Sequence, residues 1–340
     1  MTIKQRKKEH VDLSVSGEVD YIKSTGFDAF EFVHNALPEV NFDEIHTKAH
    51  LLKRTFDFPL FISSMTGGYT EAGAVNAIIA AFCEKYNLPF GVGSQRIILE
   101  DPGAVETFSI VRKEAPNAFI ASNIGGSQLV GGLDKNDLKI LLDTIEADAI
   151  IVHLNVLQEL MQPEGDRKFK GIESGIKQLV QDSPVPVMIK ETGAGISGKV
   201  AQRLIDCGVH VVDIAGAGGT SWSSIENKRL NNPAPQEIFD DWGIPTAQCL
   251  QEIQQLHDRG RIEVIASGGI RNSFDIAKAL GLGADFAASA GPVIKAVVND
   301  GFDGLEALYL DWKKQLKTIL CLLGCSSPAK LQRDMLVNKK

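Results

Sequence analysis

The strongest constraint in this sequence is a rhythm: a short apolar run that ends in Gly, Ser, Asn or Thr, then a longer stretch with helical spacing, then another such run. Alternation of that kind is the pattern of strands and helices wound into a parallel sheet. Eight runs qualify, at 59–64, 88–92, 118–122, 149–154, 185–190, 209–214, 262–266 and 285–289. Their near-continuous apolar character says that both faces are covered, as in a sheet flanked by helices. The spacing predicts helices over 72–86, 103–113, 134–145, 171–181, 198–207, 246–257 and 273–281. Eight such units over about 230 residues match the (β/α)8 TIM barrel, for which about 250 residues is typical. A doubly wound sheet of six strands is the second reading. The 340 residues then divide into one barrel domain, an N-terminal extension over 1–58 with a basic start, and a C-terminal segment over 302–340 with a helix at 304–323 and a polar tail. The polar, proline-containing stretch 220–245 reads as an ordered insertion or a lid over the barrel mouth.

Asp and Glu number 43 against 35 Lys and Arg, a formal charge of −8. That balance disfavours nucleic acid or an anionic membrane surface as a partner, so any anionic ligand must be met by locally placed cations. The five cysteines are odd in number and scattered, with no C-x-x-C pair. Neither a disulfide framework nor a structural zinc site is encoded, and a reducing compartment is expected. The start lacks the apolar run of a secretion signal, and nothing approaches the roughly 18 apolar residues of a membrane span, so a soluble, cytoplasmic protein is expected.

In a barrel of this type the residues at the C-terminal ends of the strands face the active site. Here almost every strand ends in polar ones: Ser63 to Gly68, Gly93 to Arg96, Ser122 and Asn123, His153 and Asn155 with Gln158 and Glu159 beyond, Lys190, Gly216 to Thr220, Ser267 to Arg271, and Ser289 to Gly291. Turns and helix caps favour Gly, Ser, Asn and Thr in any protein, so the weight lies on eight ends in concert. The loops after the seventh and eighth strands, Ser267-Gly-Gly-Ile-Arg271 and Ser289-Ala-Gly-Pro292, have the glycine content of the phosphate site of this fold. Gly216-Ala-Gly-Gly-Thr220 superficially resembles a dinucleotide fingerprint, but Ser221-Trp-Ser-Ser is a poor helix start and no partner acid is evident.

Lys190 is a cation at the inner end of an apolar strand and needs an anionic partner. Two assignments stay open for it: a Schiff-base amine, or a fixed charge beside an electron-rich cofactor. His153 and Asn155 share one strand face by the period of two, and Gln158 and Glu159 follow in the loop above. His34, His46, His50, His210 and His257 have no such company and read as structural or surface. No G-x-S-x-G elbow, H-E-x-x-H or clustered Cys/His set occurs, which disfavours serine hydrolysis and transition-metal catalysis. One carboxylate such as Glu159 remains compatible with Mg²⁺.

Taken in order, Arg6-Lys-Lys-Glu-His10, Ser64-Met-Thr-Gly-Gly68, Gly93-Ser-Gln-Arg96, Ser122-Asn-Ile-Gly125, His153-Leu-Asn-Val-Leu-Gln-Glu159, Pro163-Glu-Gly165, Lys190-Glu-Thr-Gly193, Asp213-Ile-Ala-Gly-Ala-Gly-Gly-Thr220, Ser267-Gly-Gly-Ile-Arg271 and Ala290-Gly291 resemble the type 2 isopentenyl-diphosphate isomerase family over nearly the whole chain. The glycine loops are common to FMN barrels; the basic start and the His-Leu-Asn…Gln-Glu stretch discriminate. The resemblance implies FMN across the barrel mouth, with its phosphate at Gly268, Gly269, Ile270, Ala290 and Gly291. Its ring would meet Ser64, Met65, Thr66, Ser94 and Asn123, with Lys190 and Thr220 also on the cofactor. The family often has Ser where Ala215 stands. It further implies a diphosphate substrate at Arg6, Lys7, Ser94, Gln95, Arg96, His153, Asn155 and Gln158, and Mg²⁺ at Glu159. Gln158, His153 and Lys190 are then the candidate catalytic residues, NADPH is needed only to reduce the flavin, and a homo-oligomer, tetramer or octamer, is expected. The implied reaction converts isopentenyl diphosphate to dimethylallyl diphosphate by a 1,3-proton shift.

The rival within the fold is an FMN oxidoreductase of the 2-hydroxyacid oxidase or inosine-monophosphate dehydrogenase type. The first usually carries a catalytic His followed by Gly-Gly-Arg where Gly218-Gly-Thr-Ser-Trp222 stands, and the second a loop cysteine that none of the five provides. A non-catalytic flavin-binding barrel would not require His153, Asn155, Gln158 and Glu159 together.

Overall fold

In the computed structural model, which describes residues 3–230 and 235–339, all eight apolar runs are parallel strands of one closed barrel. In chain order they are Leu60–Ile62, Phe90–Gly91, Ile120–Gly125, Ala149–Leu154, Val187–Glu191, Val211–Asp213, Glu263–Ala266 and Phe286–Ser289. The last closes on the first, with Ala287 opposite Leu60 and Ser289 opposite Ile62. A doubly wound sheet would leave two open edges there, so closure rules it out.

Side chains alternate across the barrel wall. Phe61, Ala121, Ala149, Ile151, Met188, Val211, Ile265 and Ala288 form one apolar cluster inside it. The residues between them, among them Leu60, Ile120, Ile150, Val152, Ile189, Val212 and Val264, belong to the larger core beneath the helices. Two positions further along the inward rows stand Ser63, Asn123, His153, Lys190, Asp213 and Ser267, so the period of two that fills the barrel with hydrocarbon also sets a polar layer on top.

The opposite end is closed by a hairpin, Ala49–Leu51 with Arg54–Phe56, inside the predicted N-terminal extension. Leu51 and Phe56 join the inner cluster, and the Phe56 ring stands edge-on to Phe119 at 6.0 Å and Phe286 at 5.8 Å. Phe30–Phe32 pairs antiparallel with Leu336–Asn338, tying the two extensions together.

The predicted helices form with ends shifted by a few residues, and the structure adds others. The basic start is a helix, Ile3–Ser16, that packs on Trp222–Arg229 and on the C-terminal helix. Trp222–Arg229 itself corrects the reading of Ser221 as a poor helix start: the Ser221 hydroxyl caps it by accepting the Ser224 amide at 3.3 Å. Of the 220–245 stretch, residues 231–234 lie outside those described, and Pro235–Phe239 is a short 3-10 helix. The C-terminal helix begins earlier than expected, at Gly291, and runs to Leu322 with a kink at Gly301 (φ 64°).

Because Phe56 is buried in the barrel floor, Phe56→Ala should lower stability by about 3–5 kcal/mol in urea denaturation, the usual cost of emptying a buried aromatic site. A loss below about 1 kcal/mol would show that the hairpin is not part of the core.

Candidate active site

The polar layer opens into a cavity of about 370 Å³ at the barrel mouth, within the size range of small-molecule sites. Its walls come from the ends of five strands and from the N-terminal helix: Ser64 and Met65, Lys190 with Thr192 and Gly193, Ala215 and Gly216 with Gly219 and Thr220, Ser267 to Arg271, Ala288 to Pro292, and His10, Val11 and Ser14. Gly268 and Gly269 take positive φ (94° and 75°), and a Cβ on Gly268 would stand 1.9 Å from the Gly216 carbonyl oxygen. Only glycine lets these two loops lie together at the mouth. The Ser64 hydroxyl is buried with no hydrogen-bond partner in the protein.

Lys190 crosses to the next inward row. Its ammonium donates to Asp213 Oδ2 at 2.8 Å and to Ser267 Oγ at 3.0 Å, while Ser267 donates to Asp213 Oδ1 at 2.5 Å. That is the anionic partner its position requires. Held between a carboxylate and a hydroxyl, the Lys190 amine is placed as one half of an ion pair, the geometry of a fixed charge rather than of a free nucleophile.

Beside the cavity a second polar cluster is almost dry. His153 donates from Nδ1 to Asn123 Oδ1 at 2.7 Å. Burial, with the charges of Lys7 and Lys190, pushes its pKa down to about 4, so the ring is neutral at pH 7. From the N-terminal helix Lys7 donates to the Gly67 and Ser94 carbonyls, both at 2.9 Å, and its pKa falls to about 7 through burial and the neighbouring charge of Arg6. Asn155 donates to Gln158 Oε1 (3.2 Å) and Glu159 Oε1 (3.0 Å), and Glu159 Oε2 accepts the Asp166 amide at 2.7 Å.

A residue without a place in the sequence reading joins these parts. Glu226, on the Trp222–Arg229 helix, is fully buried. It faces His10 Nε2 at 2.8 Å and accepts from Gln162 Nε2 at 2.6 Å, Gln158 Nε2 at 3.5 Å and Arg229 Nε at 2.7 Å. Burial alone would raise its pKa, but the contacts with His10 and Arg229 outweigh it and hold the carboxyl down at about 2. Gln162, Asp213 and Trp222, whose ring meets His10 edge-on at 5.1 Å, were likewise not singled out. Asp213 could have been found by continuing the inward row from Val211; Glu226 carries no sequence signal beyond its distance from the family-like motifs.

A family model described as FMN-dependent dehydrogenase matches residues 153–338, more than half of the chain. Over 348 residues the chain is 44% identical to the isopentenyl-diphosphate delta-isomerase of Chlorobium limicola, covering 98% of this chain and 96% of that protein. It is 43% identical over 295 residues to the protein of the same name from Rickettsia bellii, covering 86% and 85%. The chain belongs to the isopentenyl-diphosphate delta-isomerase family. Among solved structures, a flavocytochrome b2 double mutant with pyruvate bound has a TM-score of 0.70 at 17% identity, covering 96% of this chain and 82% of that one. A soluble mutant of (S)-mandelate dehydrogenase from Pseudomonas putida has a TM-score of 0.65 at 16% identity, covering 99% and 92%. At that identity they share the barrel and nothing more specific.

The residues expected to serve such an isomerase do not all converge. Ser64, Met65, Lys190, Thr220, Gly268, Gly269, Ile270, Ala290 and Gly291 line the cavity. Thr66 is buried with its hydroxyl on Tyr69, Ser94 gives its carbonyl to Lys7, and Asn123 gives its side-chain oxygen to His153. Arg6 leans on Gln162 Oε1 at 3.1 Å. Arg96 is half exposed, paired with Glu100 at 3.0 Å and Asp166 at 3.5 Å. Gln95 is fully buried, donating to the Leu141 carbonyl at 3.0 Å and accepting from Ser122 Oγ at 2.6 Å. Its side chain braces the strand that carries Asn123, and it is not among the residues that line the cavity.

Glu226→Gln removes the charge opposite a buried Arg229 and His10, and should cost about 3–5 kcal/mol of stability at pH 7 in urea denaturation. Since the folded pKa lies below the unfolded one, the wild-type advantage should be full above about pH 4.3 and vanish as the pH falls through about 2. A loss that is the same at pH 3 and pH 7 would refute the charge argument.

Proposed function

We propose that this protein interconverts isopentenyl and dimethylallyl diphosphate by a 1,3-proton shift, with FMN in the mouth cavity and the diphosphate against the neighbouring dry cluster. The observation that carries the reading is the meeting of these two sites, with Lys190 lining the cavity and acting electrostatically on His153. The residues present fit FMN: Ser64 has a buried hydroxyl awaiting a partner, and the glycines of the last two loops leave backbone amides open at a helix N-terminus for the phosphate. When bound and reduced by NADPH, FMN would supply the acid–base chemistry and an electron-rich ring facing positive charge on the substrate.

The chain's own residues make that chemistry feasible in three ways. An isolated alkene is a very weak base, so its protonation needs a water-free pocket and placed charge. His10, Val11 and Trp222 line the cavity on the side of the N-terminal helix. Gln158 orients the alkene or holds a proton in relay, its amide steadied by Asn155 and Glu226. Lys190, paired with Asp213 and lining the cavity, would offer a fixed charge to the flavin. Lys7, Arg6, His153 and Asn155 would hold the diphosphate. Among the described residues no group of three or more His, Cys, Asp and Glu side chains could hold a metal. Mg²⁺ would therefore depend on one carboxylate, Glu159, which keeps lone pairs free beyond its two hydrogen bonds, together with oxygens of the substrate and water.

Among the described residues no helix is long and apolar enough to cross a membrane, and all five cysteines are free, which favours a reducing, cytoplasmic setting. Exposed Leu310 and Leu322 on the C-terminal helix, with Phe42 and Leu37 of the extension, favour a homo-oligomer.

The deciding experiment incubates the purified protein with isopentenyl diphosphate, Mg²⁺ and reduced FMN in D₂O without oxygen. Deuterated dimethylallyl diphosphate should accumulate without stoichiometric NADPH consumption; substrate-linked flavin turnover with no allylic product would favour the oxidoreductase. In the same assay Glu159→Gln should sharply weaken the Mg²⁺ requirement's affinity while FMN stays bound, and an unchanged Mg²⁺ response would remove Glu159 from the metal. Lys7, with its pKa near 7, is mostly neutral at pH 8, and a neighbouring diphosphate raises that pKa. Calorimetry with inorganic pyrophosphate at pH 8, in buffers of different ionisation enthalpy, should therefore show proton uptake, and affinity should fall as the pH rises above about 7. Binding without proton uptake would place the anion away from Lys7.

A further inference from the structure

The cations that line the mouth cavity are nearly all balanced by acids. Lys190 sits 2.8 Å from Asp213, Arg271 lies 3.0 Å from Asp20 and also donates to the Gly218 carbonyl, and His10 faces Glu226 at 2.8 Å. Lys295 is the exception: it lines the same cavity, is half-buried, and has no acid or hydrogen-bond partner among the described residues. It stands in the second turn of the Gly291–Leu322 helix. Helical side chains lean back toward the helix N-terminus, which directs Lys295 toward the first turn, the phosphate end of the proposed flavin site.

The same ammonium touches a second structure. Its Nζ lies 2.9 Å from the point a Cβ on Gly17 would occupy. Gly17 has φ +76° and directly follows the Ile3–Ser16 helix, so the ammonium sits at that helix's C-terminal end, where carbonyls and the helix dipole favour a positive charge. That helix carries His10, Val11 and Ser14 over the cavity and Lys7 into the dry cluster.

We propose that Lys295 is the cation that meets the FMN phosphate, and that through this contact the loaded cofactor holds down the N-terminal helix over the substrate side of the mouth. The proposal rests on the flavin reading of the cavity. A phosphate monoester carries between one and two negative charges at neutral pH, which is the counter-charge that Lys295 lacks. Lys295 then makes the site prefer FMN over riboflavin, which has the same ring and no phosphate. It also makes the seating of the helix depend on the phosphate and not on the ring.

The test measures binding of FMN and of riboflavin to the flavin-free protein by quenching of flavin fluorescence, for wild type, K295M and K295R. K295M should weaken FMN about tenfold to a hundredfold, the weight of one charge-assisted contact, and leave riboflavin within about twofold, while K295R restores most of the FMN affinity. Tryptic cleavage at Arg6, Lys7 and Lys8 reads the helix directly. FMN should protect these sites in wild type, riboflavin should not, and in K295M the protection by FMN should drop to the riboflavin level. Equal weakening of both flavins in K295M, or undiminished FMN protection, would overturn the proposal. A wild-type protein that binds neither flavin would instead sink the flavin reading of the cavity itself.

Discussion

The whole active end depends on the two-residue period of a closed parallel barrel. Each inward row must fill the barrel with hydrocarbon and then stop, and the next inward position is where a polar side chain can stand without entering the core. Met188 leads to Lys190, Val211 to Asp213, Ile265 to Ser267 and Ile151 to His153. The register sets Lys190 opposite Asp213 on the neighbouring strand and His153 opposite Lys190 on the other side. A slip of one residue would send the ammonium into the hydrocarbon beneath the helices and leave Asp213 alone inside, two uncompensated charges at once. The site is therefore as rigid as the barrel, and the low pKa of His153 follows from the same packing that keeps water out.

The cap over the mouth is built on different physics. The N-terminal helix is strongly polar and is held by a few desolvated contacts: Lys7 on two carbonyls, Arg6 on Gln162 and Glu164, His10 on Glu226. An apolar seal would be stronger but indifferent to what lies beneath it. Polar contacts of this kind are exchangeable, because an anion beside Lys7 offers better acceptors than the Gly67 and Ser94 carbonyls do. The lowered pKa of Lys7 measures how poorly the protein alone stabilises that charge. Glu226 does the opposite: with a pKa near 2 it is committed to its partners and fixes where the cap, the Gln158 helix and Arg229 meet.

Strand ends were legible in the sequence because chemistry and secondary structure coincide there: an apolar run that stops in Gly, Ser or Asn marks both a turn and a mouth. His153, Asn155, Gln158 and Lys190 were accordingly found in one end of the barrel, and the glycines of the last two loops on one wall of it. The helix Trp222–Arg229 was not, because Ser-Trp-Ser-Ser looks like a loop until the Ser221 cap is seen against buried Glu226 and Asn227. Gln95 is hard to read for a different reason. It stands inside a family-like motif, yet its side chain is spent on Ser122 and the Leu141 carbonyl, a role that sequence pattern cannot separate from ligand contact. Glu226 was invisible since a buried carboxylate differs from a solvated one only through its partners, and while Arg229 is a near neighbour in sequence, Gln162 and His10 lie 64 and 216 positions away.

The barrel shared with flavocytochrome b2 and mandelate dehydrogenase at 16–17% identity leaves the choice of chemistry to the rim. Here the rim is close to neutral: Lys190 with Asp213, Arg271 with Asp20, Arg229 with Glu226 and Glu164. Balanced pairs project little field beyond a Debye length of about 8 Å at physiological salt, so the mouth does not attract anions at large, in keeping with a chain of net charge −8. Selectivity must then come from contact. A ligand is held only if it brings a compact anion that can reach short-range donors which have no better partner, while its apolar part occupies the dry space between the cap and the polar layer. A polyanion fails the second condition and a neutral alkene the first, while the diphosphate substrate proposed above meets both.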